Sequence, residues 1–182
     1  MSKKSTYSFS PKKIAFAAML VAMSVIIGIF CKNFMNFGLG LFRVTFENLP
    51  IILAAIYLGP VVGGFVGVAT DLISYLLSSQ IYPPNLIVSL GAMMIGIVAG
   101  LVPVFVVRKR GYLQIVISSL FAHLIGSMII KSIGLYQFYG IAVLWRIPLY
   151  VGIASVEIFI MCMLYKNRNI RNLLEGLFEH RR

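Results

Sequence analysis

Long apolar runs alternate with short polar breaks along this chain, and the breaks place the helices. Ser10-Pro11 makes a good helix start, with Ser as cap and Pro at the first helical position. The apolar run behind it predicts a first helix over residues 12–31. Residues 32–46 mix Lys32, Asn33, Asn36, Gly38 and Gly40 with Phe34, Phe37 and Phe42, and read as the longest loop outside the termini. Loops of that length inside a compact protein are usually functional. A second helix starts near Glu47 or Asn48, with Pro50 tolerated in its first turn. Leu58-Gly59-Pro60 stops it and opens a third, so the two form a tight hairpin. The third helix carries Gly63-x-x-x-Gly67 and then Asp71, Ser74 and Tyr75. A turn ending in Tyr82-Pro83-Pro84-Asn85 precedes a fourth helix over 86–107, with Ala92, Gly96 and Gly100 four residues apart. Such small-residue seams mark close backbone approach in lipid. Beyond Arg108-Lys109-Arg110-Gly111 the pattern predicts a fifth helix over 112–132. A loop over 134–139 then leads to a sixth helix over 140–165, which Pro148 can kink.

Composition turns these helices into membrane spans. The 182 residues are 60% apolar and only 12% charged, with a mean hydropathy of +0.95, whereas about a quarter of the residues of a soluble domain are charged. Runs of this length and greasiness predict an all-α membrane protein with six transmembrane helices in a compact bundle. The net charge of +11 does not point to nucleic acid, because of where the charges sit. Lys3, Lys4, Lys12, Lys13, Arg108, Lys109, Arg110, Lys166, Arg168, Arg171, Arg181 and Arg182 make up twelve of the sixteen basic residues, and all fall on one side if six helices alternate. The positive-inside rule then places the N- and C-termini in the cytoplasm. A basic flank of this kind attracts anionic lipid headgroups. Cys31 and Cys162 are predicted near opposite membrane faces, which argues against a disulfide, and two cysteines have no metal-site spacing. The N-terminal apolar run is longer than a signal peptide's and no small-x-small site follows it, so it reads as a retained first span.

Seven charges remain away from the basic flank: Lys32, Arg43, Lys131, Arg146, Glu47, Asp71 and Glu157. A charge at mid-bilayer costs about 2.5–3.5 kcal/mol, so such residues pair, line a cavity, or both. Snorkelling accounts for Lys32 and Lys131 near helix ends. Arg43 and Arg146 are harder to dismiss. Internal pairing, for instance of Arg146 with Asp71 and of Glu47 with Arg43, is one reading. A cationic pocket mouth is the other, and the aromatic residues Phe42, Phe46, Tyr75, Tyr82, Tyr136, Tyr139 and Trp145 suit a flat anionic ligand as well as they suit an interfacial belt. No G-x-x-x-x-G-K-[ST] is present, and His123 and His180 stand without an acid cluster, so neither ATP binding by a P-loop nor a metal site is expected. Six helices without a visible repeat are few for an independent carrier, and a binding subunit driven by other chains fits better.

Phe42-Arg43-Val44 with Leu49-Pro50, Leu58-Gly59-Pro60 with Gly63, Gly64 and Asp71, Tyr82-Pro83-Pro84-Asn85, Ile130-Lys131-Ser132-Ile133-Gly134-Leu135, and Trp145-Arg146-Ile147-Pro148 carry a resemblance. Over residues 12–165 the chain resembles the substrate-binding S components of energy-coupling factor (ECF) vitamin transporters, and within them most the folate-specific members. That resemblance implies a vitamin, folate or a relative, captured from the outer face. It implies docking by the first helix onto a transmembrane coupling subunit driven by two ATPase subunits, which alone bind ATP. The matching positions are Arg43, Asp71, Tyr82, Asn85, Lys131, Trp145 and Arg146 for the ligand, and Ala15, Ala18 and Ala22 for docking. No catalytic residue, metal or cofactor is implied.

The expected organisation is a disordered cytoplasmic N-terminus over 1–11, a membrane domain over 12–166, and an amphipathic cytoplasmic tail over 167–182. In the tail Ile170, Leu173, Leu174, Leu177 and Phe178 share a helical face that suits a membrane surface.

Overall fold

After Asn48, the second helix has no polar face, and a helix that is apolar all round belongs in a core. The computed structural model, which describes residues 11–37, 42–77, 85–107 and 111–176, places it there. Helix α2 (Asn48–Leu58) is buried along nearly its whole length, and Ile52, Ala54 and Ala55 are fully enclosed. Its eleven residues span only about 16 Å, roughly half the hydrocarbon thickness. Around it stand α1 (Pro11–Phe34), α3 (Pro60–Leu77), α4 (Leu86–Phe105), α5 (Tyr112–Ala122) and a later helix, α7, described below. The N-terminal disorder expected over 1–11 lies, except for Pro11 in α1, outside the described residues, as do the turn containing Tyr82, the basic triplet 108–110 and the tail residues Leu177 and Phe178.

Gly59 makes the turn between α2 and α3 with φ near 100°, a conformation that favours glycine. The seam between α3 and α4 is as the four-residue spacing implies. A Cβ on Gly67 would strike the Ala92 carbonyl, and one on Gly96 would strike the Gly63 carbonyl. The two helices run antiparallel with backbones in contact, which dispersion rewards in a setting without a hydrophobic drive.

The expected break over 134–139 is not a loop. The chain is helical from α5 through a π-helical segment (His123–Ile130) into α6 (Lys131–Tyr139). Gly134 is tolerated within α6 because it packs against Ile87 and Val88 of α4. The reversal comes later, at Gly140 with φ 56° and the short 3-10 turn Gly140–Trp145. Helix α7 (Arg146–Lys166) therefore starts later than its pattern predicts, and Pro148 sits in its first turn, where no N–H is required, instead of kinking its middle. Residues 32–46 also hold more structure than a loop: α1 continues to Phe34, and β1 (Asn36–Phe37) pairs antiparallel with β2 (Phe42–Arg43). Helix α8 (Arg168–Gly176) packs back on the bundle, with Leu174 buried and the Arg171 guanidinium over the Tyr165 ring.

The distribution of side chains is inverted relative to a soluble protein. Phe65, Leu76, Leu86 and Phe105 are each more than 70% exposed, while Ser24, Asn48, Ser118, Ser119 and Ser127 are sealed inside. Among the described residues, four helical stretches are long and apolar enough to cross a membrane: Pro11–Phe34, Pro60–Leu77, Leu86–Phe105 and the continuous Tyr112–Lys166, which folds back on itself at the 3-10 turn. This is an all-α membrane protein, with one small hairpin among the described residues.

Candidate functional site

Polar side chains gather at the end of the bundle that carries the β-hairpin. They come from the end of α1, the start of α2, the end of α3, the start of α4 and the start of α6, and Lys131 is at their centre. Its Nζ lies 3.5 Å from Glu47 Oε1 and donates to Asn48 Oδ1 at 3.4 Å, with the Lys131 and Glu47 side chains each 6% exposed. Two glycines make the room. A Cβ on Gly91 would be 2.6 Å from Lys131 Cγ, so the lysine stem runs over α4 where no side chain stands. A Cβ on Gly28 would be 2.7 Å from Glu47 Oε2, so the carboxylate rests on α1. Ser24 Oγ donates to the Glu47 carbonyl at 2.5 Å and ties the same residue to α1 again.

Asp71 and Asn85 close the α3–α4 side. Ser89 Oγ donates to Asp71 Oδ2 at 2.5 Å. Asn85 caps α4 by accepting from the Ile87 N–H at 2.9 Å, and its Nδ2 donates to the Gly134 carbonyl at 2.6 Å. Asn85 is thus committed to holding α4 and α6 together. Among the described residues the partner of Asp71 is Ser89, so the pairing of Asp71 with Arg146 does not form. Lys32 donates from Nζ to the Ser74 carbonyl at 3.2 Å across α1 and α3.

Arg146, the first residue of α7, is 4% exposed. Its Nη2 donates to Tyr150 Oη at 2.8 Å, and its guanidinium lies over the ring of the same tyrosine at 5.3 Å. Its Nε has no partner among the described residues, and neither has Asn48 Nδ2. Buried donors of this kind are costly when unmade, at about 1–3 kcal/mol each. Trp145, one residue earlier, is 71% exposed and faces outward as an interfacial aromatic does. Tyr82 lies outside the described residues. Arg43 lies on β2 opposite Asn36, and its side chain too is outside them. Ala15, Ala18 and Ala22 are all exposed along α1, so this small-residue face is free of the bundle and not part of its packing.

A second buried pair of acid and base side chains lies deeper. His123 Nε2 and Glu157 Oε2 are 2.6 Å apart, at 1% and 0% exposure. Ser127 Oγ lies 3.4 Å from His123 Nδ1, and Ser119 Oγ donates to Met161 Sδ at 3.6 Å. These contacts show α5 and α7 antiparallel and fix a common level. Counted from there at ~1.5 Å per residue, Lys131 is at most about 12 Å nearer the hairpin end and Arg146 about 16 Å nearer. Both buried cations therefore occupy the same half of the bundle.

Sequence reasoning singled out Lys131 and Arg146 and missed their partners. Glu47, read as holding Arg43, also meets Lys131 across 84 positions of chain, and the Arg43 side chain lies outside the described residues. Asn48, Gly28, Gly91 and Tyr150 carried no signal beyond ordinary helix composition. His123 and Glu157 were not linked to each other from the sequence, since no spacing rule joins positions 34 apart. The two cysteines are free, as anticipated. No group of His, Cys, Asp and Glu able to hold a metal occurs among the described residues.

The family model for the ECF transporter substrate-specific component matches residues 12–176, which includes α8. No curated protein sequence matches the chain. Among solved structures, a crystal structure of FolT bound with folic acid superposes with a TM-score of 0.64 over 85% of this chain and 91% of that one, at 19% identity. At that identity the likeness establishes the fold alone. With the family model spanning nearly the whole chain, the protein belongs to the substrate-specific components of energy-coupling factor transporters, multi-pass membrane proteins that bind a vitamin for an ECF module and are not themselves enzymes.

Proposed function

We propose that this chain is the folate-binding subunit of an ECF uptake system, with six membrane passes, both termini cytoplasmic and the hairpin end facing outward. The observation that carries the reading is the pair of buried cations, Lys131 and Arg146, in one half of the bundle. Folate's glutamate bears two carboxylates, and its pterin is flat and rich in hydrogen-bonding groups. The unpartnered donors Asn48 Nδ2 and Arg146 Nε suit acceptors on such a ligand. Arg43, Asp71 and Asn85 border the same end, Asn85 by holding its walls, and Trp145 stands at its rim; Tyr82, outside the described residues, is proposed with them from the family resemblance alone. The shared fold with a folate-bound protein supports the choice of vitamin. The free alanine face of α1 suits contact with a transmembrane coupling subunit, which two ATPase subunits drive, because small residues let helices approach closely in lipid.

A vitamin without carboxylates leaves the cations unexplained, and thiamine, itself a cation, is repelled by them. Riboflavin is the competing ligand that its planar ring keeps in play. Native mass spectrometry of the purified chain, followed by titration calorimetry with folate, riboflavin, biotin and thiamine, tests the assignment. Folate binding without ATP is the expected outcome. Heat from riboflavin alone would sink the folate reading, and no bound small molecule at all would favour a purely structural subunit.

A further inference from the structure

The His123–Glu157 pair has no place in ligand binding as described, yet it is the more enclosed of the two acid–base contacts found among the described residues. Buried ion pairs are weak devices for stability, since the desolvation of two charges offsets their attraction. This one is also incompletely satisfied: Glu157 Oε1 finds no hydrogen-bond partner among the described residues, and the approach of Oε2 to His123 Nε2 is close without the alignment of a hydrogen bond. The best-attested use of such a pair is to select one register between packed helices.

Its position fits that use. His123 opens the π-helical segment, and Lys131 is the first residue beyond it. A π-turn holds one residue more than an α-turn, so each surplus residue rotates everything downstream by about 100°. The segment therefore determines which way Lys131 faces, and here it faces Glu47 and Asn48. Glu157 stands on α7, whose first residue is Arg146. The pair joins two helical arms at their deep ends, and each arm carries one buried cation at its other end. A slip of α7 by one residue moves Arg146 by ~1.5 Å relative to Lys131 and turns it by about 100°.

We propose that His123 and Glu157 are positioning residues: they lock α7 to the π-helical segment and so set the separation of Lys131 and Arg146, which selects ligands whose anionic groups match it. The proposal rests on the reading of those two cations as ligand-facing.

The test uses the full chain in lipid nanodiscs, with Cys31 and Cys162 replaced by alanine. Spin labels go at Ile133→Cys and Ile147→Cys, both outward-facing sites. The variant His123→Leu/Glu157→Leu removes both polar partners together, which leaves neither one buried alone. Pulsed electron resonance is expected to show the inter-label distance shifted or broadened by more than about 1.5 Å, one residue's rise. Folate affinity falls roughly tenfold or more, the loss of one charge-assisted bond, while pteroate, which lacks the glutamate, loses less than about threefold. The exchanged variant His123→Glu/Glu157→His restores the distance and the folate affinity. An unchanged distance in the double leucine variant overturns the proposal. So does a lowered melting temperature with both ligands weakened alike, which is the mark of a merely structural pair. If the parent protein binds no folate, the folate assignment fails, and the distance measurement still decides the register claim.

Discussion

Lys131 reaches across the bundle to Glu47, Nζ to Oε1 at 3.5 Å, with both side chains enclosed. The contact joins α6 to the residue that begins α2, and Glu47 rests in turn on Ser24 and Gly28 of α1. One ion pair thus connects the proposed ligand cation to the helix that carries the free alanine face.

Glu47→Ala leaves Lys131 buried beside Asn48 alone. Removing one partner of a buried pair costs about 3–5 kcal/mol, so the variant's melting temperature drops sharply in the absence of ligand. An anionic ligand that meets Lys131 replaces the missing charge. Saturating folate is therefore expected to raise the melting temperature of Glu47→Ala by more than that of the parent, in thermal unfolding read by tryptophan-independent scattering. Equal shifts in both proteins would show that the ligand does not reach Lys131.

The glycine contacts make a graded series. A Cβ on Gly96 meets the backbone of Gly63, which cannot give way, and Gly96→Ala is expected to prevent assembly of α3 on α4. Gly91→Ala meets the Lys131 stem, and crowding of this kind costs about 1–3 kcal/mol. Nothing lies within 4 Å of a Cβ on Gly152, so Gly152→Ala is expected to stabilise α7 by up to about 1 kcal/mol through helix propensity. Size-exclusion profiles and unfolding midpoints of the three variants check the order.

Ala18→Trp and Ala22→Trp add bulk to an exposed face of α1. Folate binding by the purified chain is expected to persist, and uptake by cells expressing the whole transporter to be lost. Loss of both together would mean that the face supports the bundle itself.

Arg146→Ala deletes a buried guanidinium bonded to Tyr150. Folate affinity is expected to fall tenfold or more, since a hydrogen bond to a charged group is worth about 1.5–3 kcal/mol. Tyr150→Phe removes only the hydroxyl and leaves the cation in place, so its loss is expected to be smaller. Calorimetry on both variants compares them, and an unchanged affinity in Arg146→Ala would assign the arginine to structure alone.

The sequence by itself determined what local chemistry controls. Apolar runs marked the helices, Gly59 and Pro60 marked the α2–α3 turn, and the four-residue spacing of Gly63, Gly67, Ala92 and Gly96 marked a seam, because each of these depends on periodicity or on one residue's backbone preference. Arg146 stood out because a charge in an apolar run is expensive wherever the chain puts it, whereas Lys131 read as a snorkelling residue near a helix end and is instead buried. The π-helical segment was not legible, since one surplus residue leaves the apolar pattern almost intact while turning Lys131 inward. Nor was the late reversal at Gly140, because Gly134 looks like a stop until Ile87 and Val88 are seen packed against it. Only the tertiary structure decided the partners. Lys131 with Glu47, His123 with Glu157 and Asp71 with Ser89 are joined by packing between helices distant in sequence. The empty space that admits them, over Gly28 and Gly91, exists only once α1 and α4 are in place.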